Sequence, residues 1–248
     1  VEKTNIMNQD AADVFGVGRP GQITVMVHCG SRGFGHQVAS DYLSRFVDVM
    51  GPKYGLSVPD KQLACAPFRS PEGQRYFAAM ACAVNMAYAN RQVILHRIRD
   101  TFSEVLGVSE DRLGMRQIYD VTHNTAKLET HRIDGDERQL LVHRKGATRA
   151  FPPGTDNVPL PYRDLGQPVI IGGSMETGSY LLTGTHAGAE TFFTTAHGSG
   201  RVMSRSKARK QFRGIELRDR MARRGITVHA ASLAGLAEEA GGAYKDVD

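Results

Sequence analysis

The sequence predicts a mixed α/β fold (α+β), with mixed β-structure at its core and helices covering it. Apolar, β-branched runs at residues 22–28 and 117–124 predict strands, and an alternating stretch at residues 126–143 predicts a hairpin. Between these strands, apolar side chains recur at helical spacing from residue 73 to residue 107. Because no internal repeat or low-complexity linker interrupts the sequence, we expect one domain over residues 1–248.

The first predicted strand ends in a histidine and a glycine-rich turn. Residues 22–28 bring His28 to the strand end, and the turn at residues 30–36 opens a helix predicted over residues 37–50. The free N–H groups of such a turn and of a helix N-terminus favour an anion such as phosphate. A plain strand-to-helix turn with a core histidine explains the segment equally well. Cys29 faces away from His28 on a strand, so we do not expect it to be a ligand.

The longest predicted helix spans residues 73–107 and should be mostly core. Prolines make residues 52–71 irregular before it, and Gly107 ends it. Polar members of this helix, such as Asn90 and Arg91, could line a site, and a solvated or capping role is the default expectation.

A second strand-end histidine is His123, in the strand predicted over residues 117–124. Neutral imidazoles held by rigid strands are good transition-metal ligands, so His28 and His123 form a candidate pair. Two histidines alone are insufficient, because a bound metal needs about three or four protein ligands.

Basic and glycine-rich segments follow the hairpin, which should turn at residues 134–136. Lys145 lies in a basic segment and either neutralises a phosphate or occupies an exposed turn. A strand at residues 168–171 leads into residues 172–179, which are rich in glycine and serine. This stretch predicts either a backbone that contacts a nucleotide or a plain loop before the strand at residues 180–183.

The segment around His197 combines a candidate nucleophile with a candidate anion site. It follows a short helix predicted over residues 186–195 and continues as a Gly-Ser-Gly-Arg run. The glycines leave backbone N–H groups free to face an anion beside the imidazole, and Arg201 adds a planar cation suited to phosphate. Taken by itself, a glycine turn with a structural histidine explains this motif better than catalysis does.

The last part of the chain is predicted to be helical and basic. Residues 204–211 should form a helix with a cationic face, which either binds a polyanion or is simply solvated. Helices are expected at residues 216–224 and 233–240, with a short strand at residues 226–229 between them.

Composition sets broad limits on function. The net charge is +5 and the isoelectric point about 9.2, a modest excess that is compatible with RNA or a nucleotide as partner. The three cysteines form no CxxC pair, which argues against a disulfide framework and favours the reducing cytoplasm. No apolar run approaches the roughly 20 residues of a membrane span, and the first residues lack the apolar core of a signal peptide. Because the sequence does not begin with Met, we expect a fragment or a processed chain.

Six ordered motifs together support a resemblance that none of them supports alone. They are His28-Cys-Gly-Ser-Arg-Gly-Phe-Gly-His36, Asn85-Met-Ala-Tyr-Ala-Asn-Arg91, Asp120-Val-Thr-His-Asn124, His143-Arg-Lys-Gly-Ala-Thr-Arg-Ala150, Gly172-Gly-Ser-Met175 and His197-Gly-Ser-Gly-Arg201. In this order they resemble the RtcB family of RNA-splicing (tRNA-splicing) ligases over nearly the whole chain. The set outweighs the purely structural explanation of each motif.

The resemblance implies a GTP- and manganese-dependent RNA ligase. Such an enzyme joins an RNA 3′-phosphate or 2′,3′-cyclic phosphate end to a 5′-hydroxyl end, in tRNA splicing and RNA repair. His197 would be the nucleophile and would carry GMP as a covalent intermediate. The resemblance also implies a cytoplasmic enzyme that acts on tRNA halves or broken RNA ends, away from membranes, and that can have an activating protein partner of the archease type.

Site residues follow from the same resemblance, position by position. His28 and His123 would bind manganese, of which the complete site holds two ions. GTP would be held by residues of the glycine-rich motifs and of the C-terminal segment, namely Asn124, Lys145, Gly172, Gly173, Ser174, Met175, Ser179, His197, Gly198, Ser199, Gly200, Arg201 and Tyr244. Tyr244 matches a residue that stacks on guanine.

The sequence departs from the family pattern at several points. The Asp-x-x-Cys-Gly-Met segment and the Gly-Asn-His motif do not occur, and neither does the C-terminal segment with its final Lys-Gly. We therefore expect a single RtcB-like catalytic domain that is incomplete at both ends. Ser199 stands where the family usually has Ala, and Gly172 and Glu176 replace the commoner Pro and Gly. Glu176 would repel a phosphate unless it points away or meets a cation.

Two other functional classes stay open on the sequence alone. A metal-dependent phosphohydrolase or phosphotransferase would use the same histidines but would form no lasting adduct between His197 and GMP. A non-catalytic RNA-binding fragment would rely on the basic face at residues 205–210, and its RNA binding would weaken steeply with salt.

Overall fold

The computed structural model describes residues 1–247. These residues form helices and small antiparallel sheets, which confirms the predicted mixed α/β class. The chain divides into two compact units, of which the first contains Val1–Asn5 and Arg19–Asp120 and the second contains Ile6–Gly18 and the residues from Val121 onward. One RtcB-like catalytic domain over residues 1–248 stays a prediction.

The elements of the described residues follow one another as short strands and helices, with two longer helices in the first half. In chain order they are β1 (Glu2–Lys3), α1 (Gln9–Phe15), β2 (Ile23–Thr24), α2 (Gly33–Tyr54), α3 (Pro71–Leu106), α4 (Glu110–Leu113), β3 (His123–Ile133), β4 (Asp136–Arg149), β5 (Pro168–Ile171), β6 (Tyr180–Thr183), β7 (Thr194–Ala196), α5 (Arg205–Gln211), α6 (Gly214–Arg223) and α7 (Leu233–Glu238). Short 3-10 helices lie at Lys61–Leu63, Leu160–Tyr162, His186–Thr191 and Gly241–Ala243.

The first unit is organised by the helices α2 and α3. Tyr42 and Phe46 of α2 contact Tyr76 of α3, with ring centroids 5.2 Å and 5.4 Å from that of Tyr76. The α2 helix extends beyond the predicted residues 37–50 and includes Pro52, whose fixed φ is compatible with a helix at the cost of one hydrogen bond.

Helix α3 confirms the helix predicted over residues 73–107. Ser70 caps its N-terminus by accepting the N–H of Gly73 at 3.1 Å, and Pro71 occupies the first turn. Gly107 ends the helix in the left-handed conformation with φ 63°. The prediction that α3 is mostly core is wrong, because only three of its 36 residues are buried.

Three predicted strands are shortened, displaced or absent in the described residues. In the run at 22–28, only the two residues of β2 are paired, because β1 offers no longer partner. The run at 117–124 is displaced, since residues 117–122 are irregular and β3 begins at His123. Residues 226–229 form no strand. Side-chain type favours a strand at these places, but a strand also needs a neighbour to pair with.

The second unit contains a three-stranded antiparallel sheet in the order β3-β4-β7. Its hairpin turns at Asp134 and Gly135, whose φ values are 52° and 93°, which confirms the predicted turn at residues 134–136. Strand β7 pairs with the end of β4, with Ala196 opposite Ala147. The predicted helix at 186–195 is therefore wrong in its second half, since β7 begins there.

A separate two-stranded ladder and a helical group complete the second unit. Strands β5 and β6 pair from Pro168 opposite Thr183 to Ile171 opposite Tyr180, as the sequence predicts. Helices α5, α6 and α7 confirm the three predicted C-terminal helices, with ends shifted by a few residues. Their core is a cluster of buried apolar side chains, namely Leu217, Met221, Leu236 and Ala240, against which Met175 and Phe212 pack.

Two further expectations concern the class of protein. The three cysteines are free thiols, as predicted from their spacing. Among residues 1–247, none of the helices has a stretch that is both long and apolar enough to cross a membrane.

Candidate functional site

His28 lies in the first unit, in an irregular segment that α3 holds. The Asn90 amide donates to the carbonyl oxygen of Gly30 at 2.8 Å, and Arg91 donates to the carbonyl oxygen of Cys29 at 3.2 Å. Arg91 also pairs with Asp120 at 2.6 Å. The default expectation for Asn90 and Arg91, a solvated or capping role, is therefore wrong, because both residues bond the backbone next to His28.

After His28, the chain makes a turn and then opens into a helix, as the sequence predicts. Helix α2 begins at Gly33, directly after the turn, and Arg32 precedes it with φ 54° and ψ −137°. A positive φ is uncommon in a residue other than glycine, so the neighbouring structure must hold Arg32 in place. His28 itself lies in the irregular segment rather than at a strand end.

The second unit brings His123 and His197 together. Their rings are stacked, with centroids 4.3 Å apart and an angle of 20° between the planes. His123 begins β3, and His197 directly follows β7, so both residues lie at strand ends on the same sheet. The predicted nucleophile and one predicted metal ligand are thus direct neighbours.

An irregularity in the sheet lies next to this histidine pair. The pairing of β3 with β4 shifts between His123 and Thr125, and Asn124 between them has φ 58°. The side-chain oxygen of Asn124 accepts the N–H of Gly146 at 2.7 Å. Lys145 precedes Gly146 and is exposed, within β4 rather than in a separate turn. The Lys145 side chain is therefore accessible, next in sequence to the Gly146 that Asn124 contacts.

The two glycine-rich segments meet each other. The N–H of Ser199 donates to the carbonyl oxygen of Gly172 at 2.9 Å, and Gly198 forms a bridge to Gly172. An open cavity of about 350 Å³ lies beside them, and Ser199 lines it together with Ile171, Tyr180, Leu182, Asp246 and Val247. The hydroxyl oxygen of Ser199 is buried and has no hydrogen-bond partner among the described residues.

The loop of residues 172–179 is held from within. The Ser174 N–H donates to the Thr177 hydroxyl oxygen at 2.8 Å, and the Glu176 N–H donates to the Ser174 hydroxyl oxygen at 3.2 Å. Met175 directs its side chain into the core of the helical group. Ser179, at the end of the loop, is partly buried. The loop therefore has a defined conformation before any ligand is present.

Arg201 and Tyr244 close the other side of this region. The Arg201 guanidinium donates to the Tyr244 hydroxyl at 2.7 Å and to the carbonyl oxygens of Glu238 at 2.6 Å and Met203 at 3.1 Å. The Tyr244 hydroxyl also contacts the Glu239 carboxylate. Burial and this carboxylate raise the pKa of Tyr244. Arg201 is thus engaged with protein groups in this state, and its binding of phosphate stays a prediction, as does the role of Tyr244.

A buried charged network supports β7, the strand directly before His197. The sequence reasoning did not single out this network. Arg144 donates to both carboxylate oxygens of Glu129, at 2.7 Å and 2.8 Å, and to Thr194 at 3.0 Å. It also donates to the carbonyl oxygen of Phe192 at 2.9 Å. His131 lies 2.9 Å from Glu129. Arg144 therefore connects β3 and β4 to both ends of the Phe192–Thr194 turn.

The carboxyl group of Glu129 remains ionised within this network. Burial opposes ionisation, but the hydrogen bonds from Arg144 and His131 outweigh it, so the pKa of Glu129 lies below its ordinary value. The strand alternation of β3 is a sequence signal for this group, because it places Glu129 and His131 on the same inward face.

A bound metal ion needs several ligand atoms that lie close to one another. Among residues 1–247, one group of three potential ligands, His96, Asp100 and Glu110, brings its ligand atoms within 4.8 Å of one another, and all three side chains are exposed. None of them is a predicted ligand. His28 and His123 lie in different units, and each offers an imidazole, which suits manganese less well than carboxylate does. The two imidazoles therefore fit only part of a manganese site.

Several predicted site residues of the second unit contact one another. His123 contacts His197, Gly172 contacts Gly198 and Ser199, and Arg201 contacts Tyr244. This pattern brings the ends of β3 and β7, the loop of residues 172–179 and the C-terminal segment to one region. Whether these residues bind GTP or metal stays a prediction.

The comparisons with known proteins agree on one family. A family model described as tRNA-splicing ligase RtcB matches residues 1–248. Proteins named tRNA-splicing ligase RtcB are similar to this chain, with 55% identity over 241 residues in Archaeoglobus fulgidus and 52% over 244 residues in Thermococcus kodakarensis. These matches cover 97% and 98% of this chain but 50% of each relative. A relative from Pyrococcus furiosus is 55% identical over 98% of this chain and 25% of its own length.

Proposed function

The chain belongs to the RtcB family of tRNA-splicing ligases, and from this premise we propose that it provides the nucleotidyl-transfer centre of an RNA ligase. The whole protein would use GTP and manganese to join RNA 3′-phosphate or 2′,3′-cyclic phosphate ends to 5′-hydroxyl ends, in tRNA splicing and RNA repair. The chain spans half or less of the length of the relatives named above, so the activity is proposed for a protein of their length.

The observation that supports this proposal best is the placement of His197. Its ring stacks on His123 at 4.3 Å, and the glycine segment that follows it contacts the loop of residues 172–179 through Gly172. A nucleophilic imidazole with flexible glycine backbone next to it suits attack on a phosphate.

The proposed reaction proceeds in three transfers. A nitrogen of His197 attacks the α-phosphorus of GTP, so a P–N bond forms, the bond to pyrophosphate breaks and pyrophosphate leaves. An oxygen of the RNA 3′-phosphate then attacks the same phosphorus, and the P–N bond breaks to free His197. The RNA 5′-hydroxyl finally attacks the activated 3′-phosphate, loses its proton and displaces GMP. A cyclic phosphate end must first take up water to give the 3′-phosphate.

The chain's own residues have separate tasks in this scheme. Lys145 is exposed and would offset phosphate charge as a point cation. Asn124 and the residues of the glycine segments Gly172 to Ser179 and Gly198 to Arg201 would hold the nucleotide, and Tyr244 would stack on guanine. Manganese, when bound with His28 and His123 among its ligands, would offset charge on the reacting phosphates.

RNA is the proposed polyanionic partner, and α5 offers a surface for it. Arg205 and Arg209 of this helix pair with Glu238, at 3.6 Å for Arg205. Among residues 1–247, no ion pair is recorded for Lys207 or Lys210, and both are exposed. These two lysines are therefore the members of the basic face that are best suited to RNA phosphates.

We also propose a cytoplasmic setting and, where activity requires it, an activating protein partner of the archease type. The three free thiols fit a reducing compartment.

The test uses GTP labelled at the α-phosphate, with manganese, followed by denaturing electrophoresis. It compares the 248-residue chain with a chimera in which residues 1–248 replace the matching half of the Archaeoglobus fulgidus relative. Each is made as wild type and as His197→Ala, with His186→Ala as the matched control because His186 lies in a nearby 3-10 helix.

Label on the wild-type chimera and on the His186→Ala control, but not on His197→Ala, is the expected result. Absence of label on the wild-type chimera would overturn the nucleophile assignment and favour a phosphohydrolase or an RNA-binding fragment. Label on the 248-residue chain as well would assign the first transfer to these residues alone.

A further inference from the structure

Glu176 occupies a central position between two predicted walls of the nucleotide site. It lies in the loop of residues 172–179, and its side chain is 11% exposed. Both carboxylate oxygens accept from Arg220 of α6, at 2.8 Å and 2.9 Å. One of them also accepts the backbone N–H of Gly241 at 2.9 Å. The carboxylate therefore bonds simultaneously to a helix and to the turn that precedes Tyr244.

The electrostatics of this position explain why an acidic residue is tolerated near a phosphate site. The hydrogen bond from Arg220 lowers the pKa of Glu176 against the opposing effect of burial, and the N–H of Gly241 adds to the lowering. Glu176 is thus ionised and turned towards two cations, since Arg224 also lies 3.9 Å from it. The sequence predicts that Glu176 would repel a phosphate unless it points away or meets a cation. In the structure it meets Arg220 and Arg224.

The loop around Glu176 is fixed on both sides of the carboxylate. The neighbouring Met175 packs into the cluster of Leu217 and Met221, and the carbonyl oxygen of Glu176 accepts from Arg224 at 3.0 Å. These contacts hold the loop in a defined position against the helical group.

The turn on the other side of the contact leads directly to Tyr244. Gly241–Ala243 is a 3-10 helix, and Tyr244 follows it. The next contacts belong to the His197 segment, because Val202 donates to the carbonyl oxygen of Ala243 and Lys245 donates to that of Gly200, both at 2.9 Å. Glu176 therefore sits at one end of a short path of hydrogen bonds that reaches the His197 segment.

The fit at Gly241 is close. A Cβ atom built on Gly241 would lie 2.6 Å from a carboxylate oxygen of Glu176, a distance that any larger residue would have to relieve by moving one of the two. A larger residue at position 241 would therefore displace the Glu176 carboxylate from its present contact.

We propose that Glu176 is a positioning residue for a guanine nucleotide, and that it sets the spacing between the loop of residues 172–179 and Tyr244. This inference rests on the proposed function, because it takes these two segments as the walls that hold the nucleotide. Glu176 does not contact the reacting atoms. It acts through Gly241, by fixing where the turn before Tyr244 lies relative to the loop.

The competing explanation is an ion pair that only stabilises the fold. The two explanations differ in the role of the Gly241 N–H, which a swapped ion pair cannot bond. In Glu176→Lys combined with Arg220→Glu, the attraction between positions 176 and 220 returns, but a lysine cannot accept the N–H of Gly241. This double variant therefore separates the ion pair from the positioning contact.

The experiment measures how His197 labelling by GTP depends on GTP concentration, in the full-length chimera. The variants are Glu176→Met, the double charge swap, and Asp219→Asn as control. Asp219 forms an ion pair on the same helix, with Arg218 at 3.4 Å, but both side chains are about half exposed. Hydrogen–deuterium exchange of residues 241–244 is measured on the same proteins without nucleotide.

For Glu176→Met, which has no strong acceptor for the Gly241 N–H, we expect the GTP concentration at half-maximal labelling to rise roughly 10-fold, the loss of one charge-assisted hydrogen bond, while the rate at saturation stays within about 3-fold. Exchange of residues 241–244 should become faster. The double swap should recover only part of the thermal midpoint, because a lysine at position 176 also faces Arg224, and it should not recover the GTP dependence. Asp219→Asn should match wild type in every measurement.

Three outcomes would overturn the inference. If Glu176→Met is labelled with the wild-type GTP dependence, Glu176 does not position the nucleotide, although the proposed function stands. If the double swap recovers the GTP dependence, the ion pair rather than the Gly241 contact is responsible. If the wild-type chimera takes up no label, the proposed function fails, and this inference fails with it.

Discussion

The second unit contains two carboxylate–guanidinium pairs that differ in burial. Glu129 and Arg144 lie inside the β3-β4-β7 sheet with side chains that are each 4% exposed. Glu176 and Arg220 join a loop to α6, and their side chains are 11% and 46% exposed. Both pairs are bidentate, so they have the same chemistry in two different environments.

We therefore expect the Glu129–Arg144 pair to stabilise the fold and the Glu176–Arg220 pair to position the nucleotide site. Removing one partner of a buried ion pair leaves a charge without water or a counter-charge, which is strongly destabilising. A pair that is half exposed can be replaced partly by solvent, so its loss costs little stability. The sheet network should therefore be sensitive in stability measurements, whereas the helical pair should be sensitive in measurements of nucleotide binding.

The largest expected effect is that of Arg144→Met. This change leaves Glu129 buried beside His131 without its guanidinium partner, so the free energy of unfolding should fall by about 3–5 kcal/mol in urea titrations. The matched control is Arg138→Met on the same strand, whose contact with Asp136 is 3.9 Å long and exposed. It should change the free energy by less than about 0.5 kcal/mol. Equal losses in the two variants would contradict the contrast between buried and exposed pairs.

The same network should give a pH dependence in the acid range. Since the pKa of Glu129 is lowered in the folded state, its stabilising contribution is complete above the ordinary pKa of 4.5 and is lost as pH falls through the lowered value. The free energy of unfolding should therefore fall more steeply below about pH 4.5 in the wild type than in Glu129→Gln. Parallel pH profiles for the two proteins would show that Glu129 is not ionised within the network.

A smaller effect on stability is expected for Arg220→Met. Glu176 keeps the N–H of Gly241 and the nearby Arg224, and Arg220 itself is half exposed, so unfolding should become easier by only about 1 kcal/mol. Thermal and urea unfolding measure this change. A loss as large as that of Arg144→Met would remove the distinction between the two pairs.

The smallest effect on stability is expected for Lys207→Gln with Lys210→Gln. Both side chains are exposed on α5, so unfolding should be unchanged within about 0.5 kcal/mol. The slope of RNA affinity against salt concentration should fall by about 2, since two phosphate contacts are lost. GMP loading of His197 should stay at the wild-type level. Loss of loading would show that α5 belongs to the nucleotide site rather than to an RNA surface.

The sequence predicted best those elements whose ends are defined by local chemistry. Helix α3 ends at Gly107 and begins at a Ser-Pro cap, and the hairpin turns at Asp134-Gly135, because these residues determine the backbone conformation by themselves. Strands that depend on a distant partner were predicted less well, as at residues 22–28 and 226–229. Their apolar side chains favour a strand but do not specify what it pairs with.

The candidate site could be predicted as a set of residues but not as a geometry. The motif order indicates His123 and His197, yet only folding brings their rings to a 4.3 Å stack. The charged network was missed because Glu129 and Arg144 are 15 residues apart and pair only across the hairpin. Once the hairpin register is known, strand alternation identifies Glu129 as an inward charge that needs a partner.

The close contact between Glu176 and Gly241 has an evolutionary consequence. A mutation to alanine at position 241 would make the Glu176 carboxylate shift in this chain, because one of its oxygens lies 2.6 Å from where the methyl carbon would be. The same mutation should be tolerated in relatives that have the commoner glycine at position 176. The two positions should therefore covary across the family, since a residue larger than glycine at position 241 avoids displacing a carboxylate where the glutamate is absent.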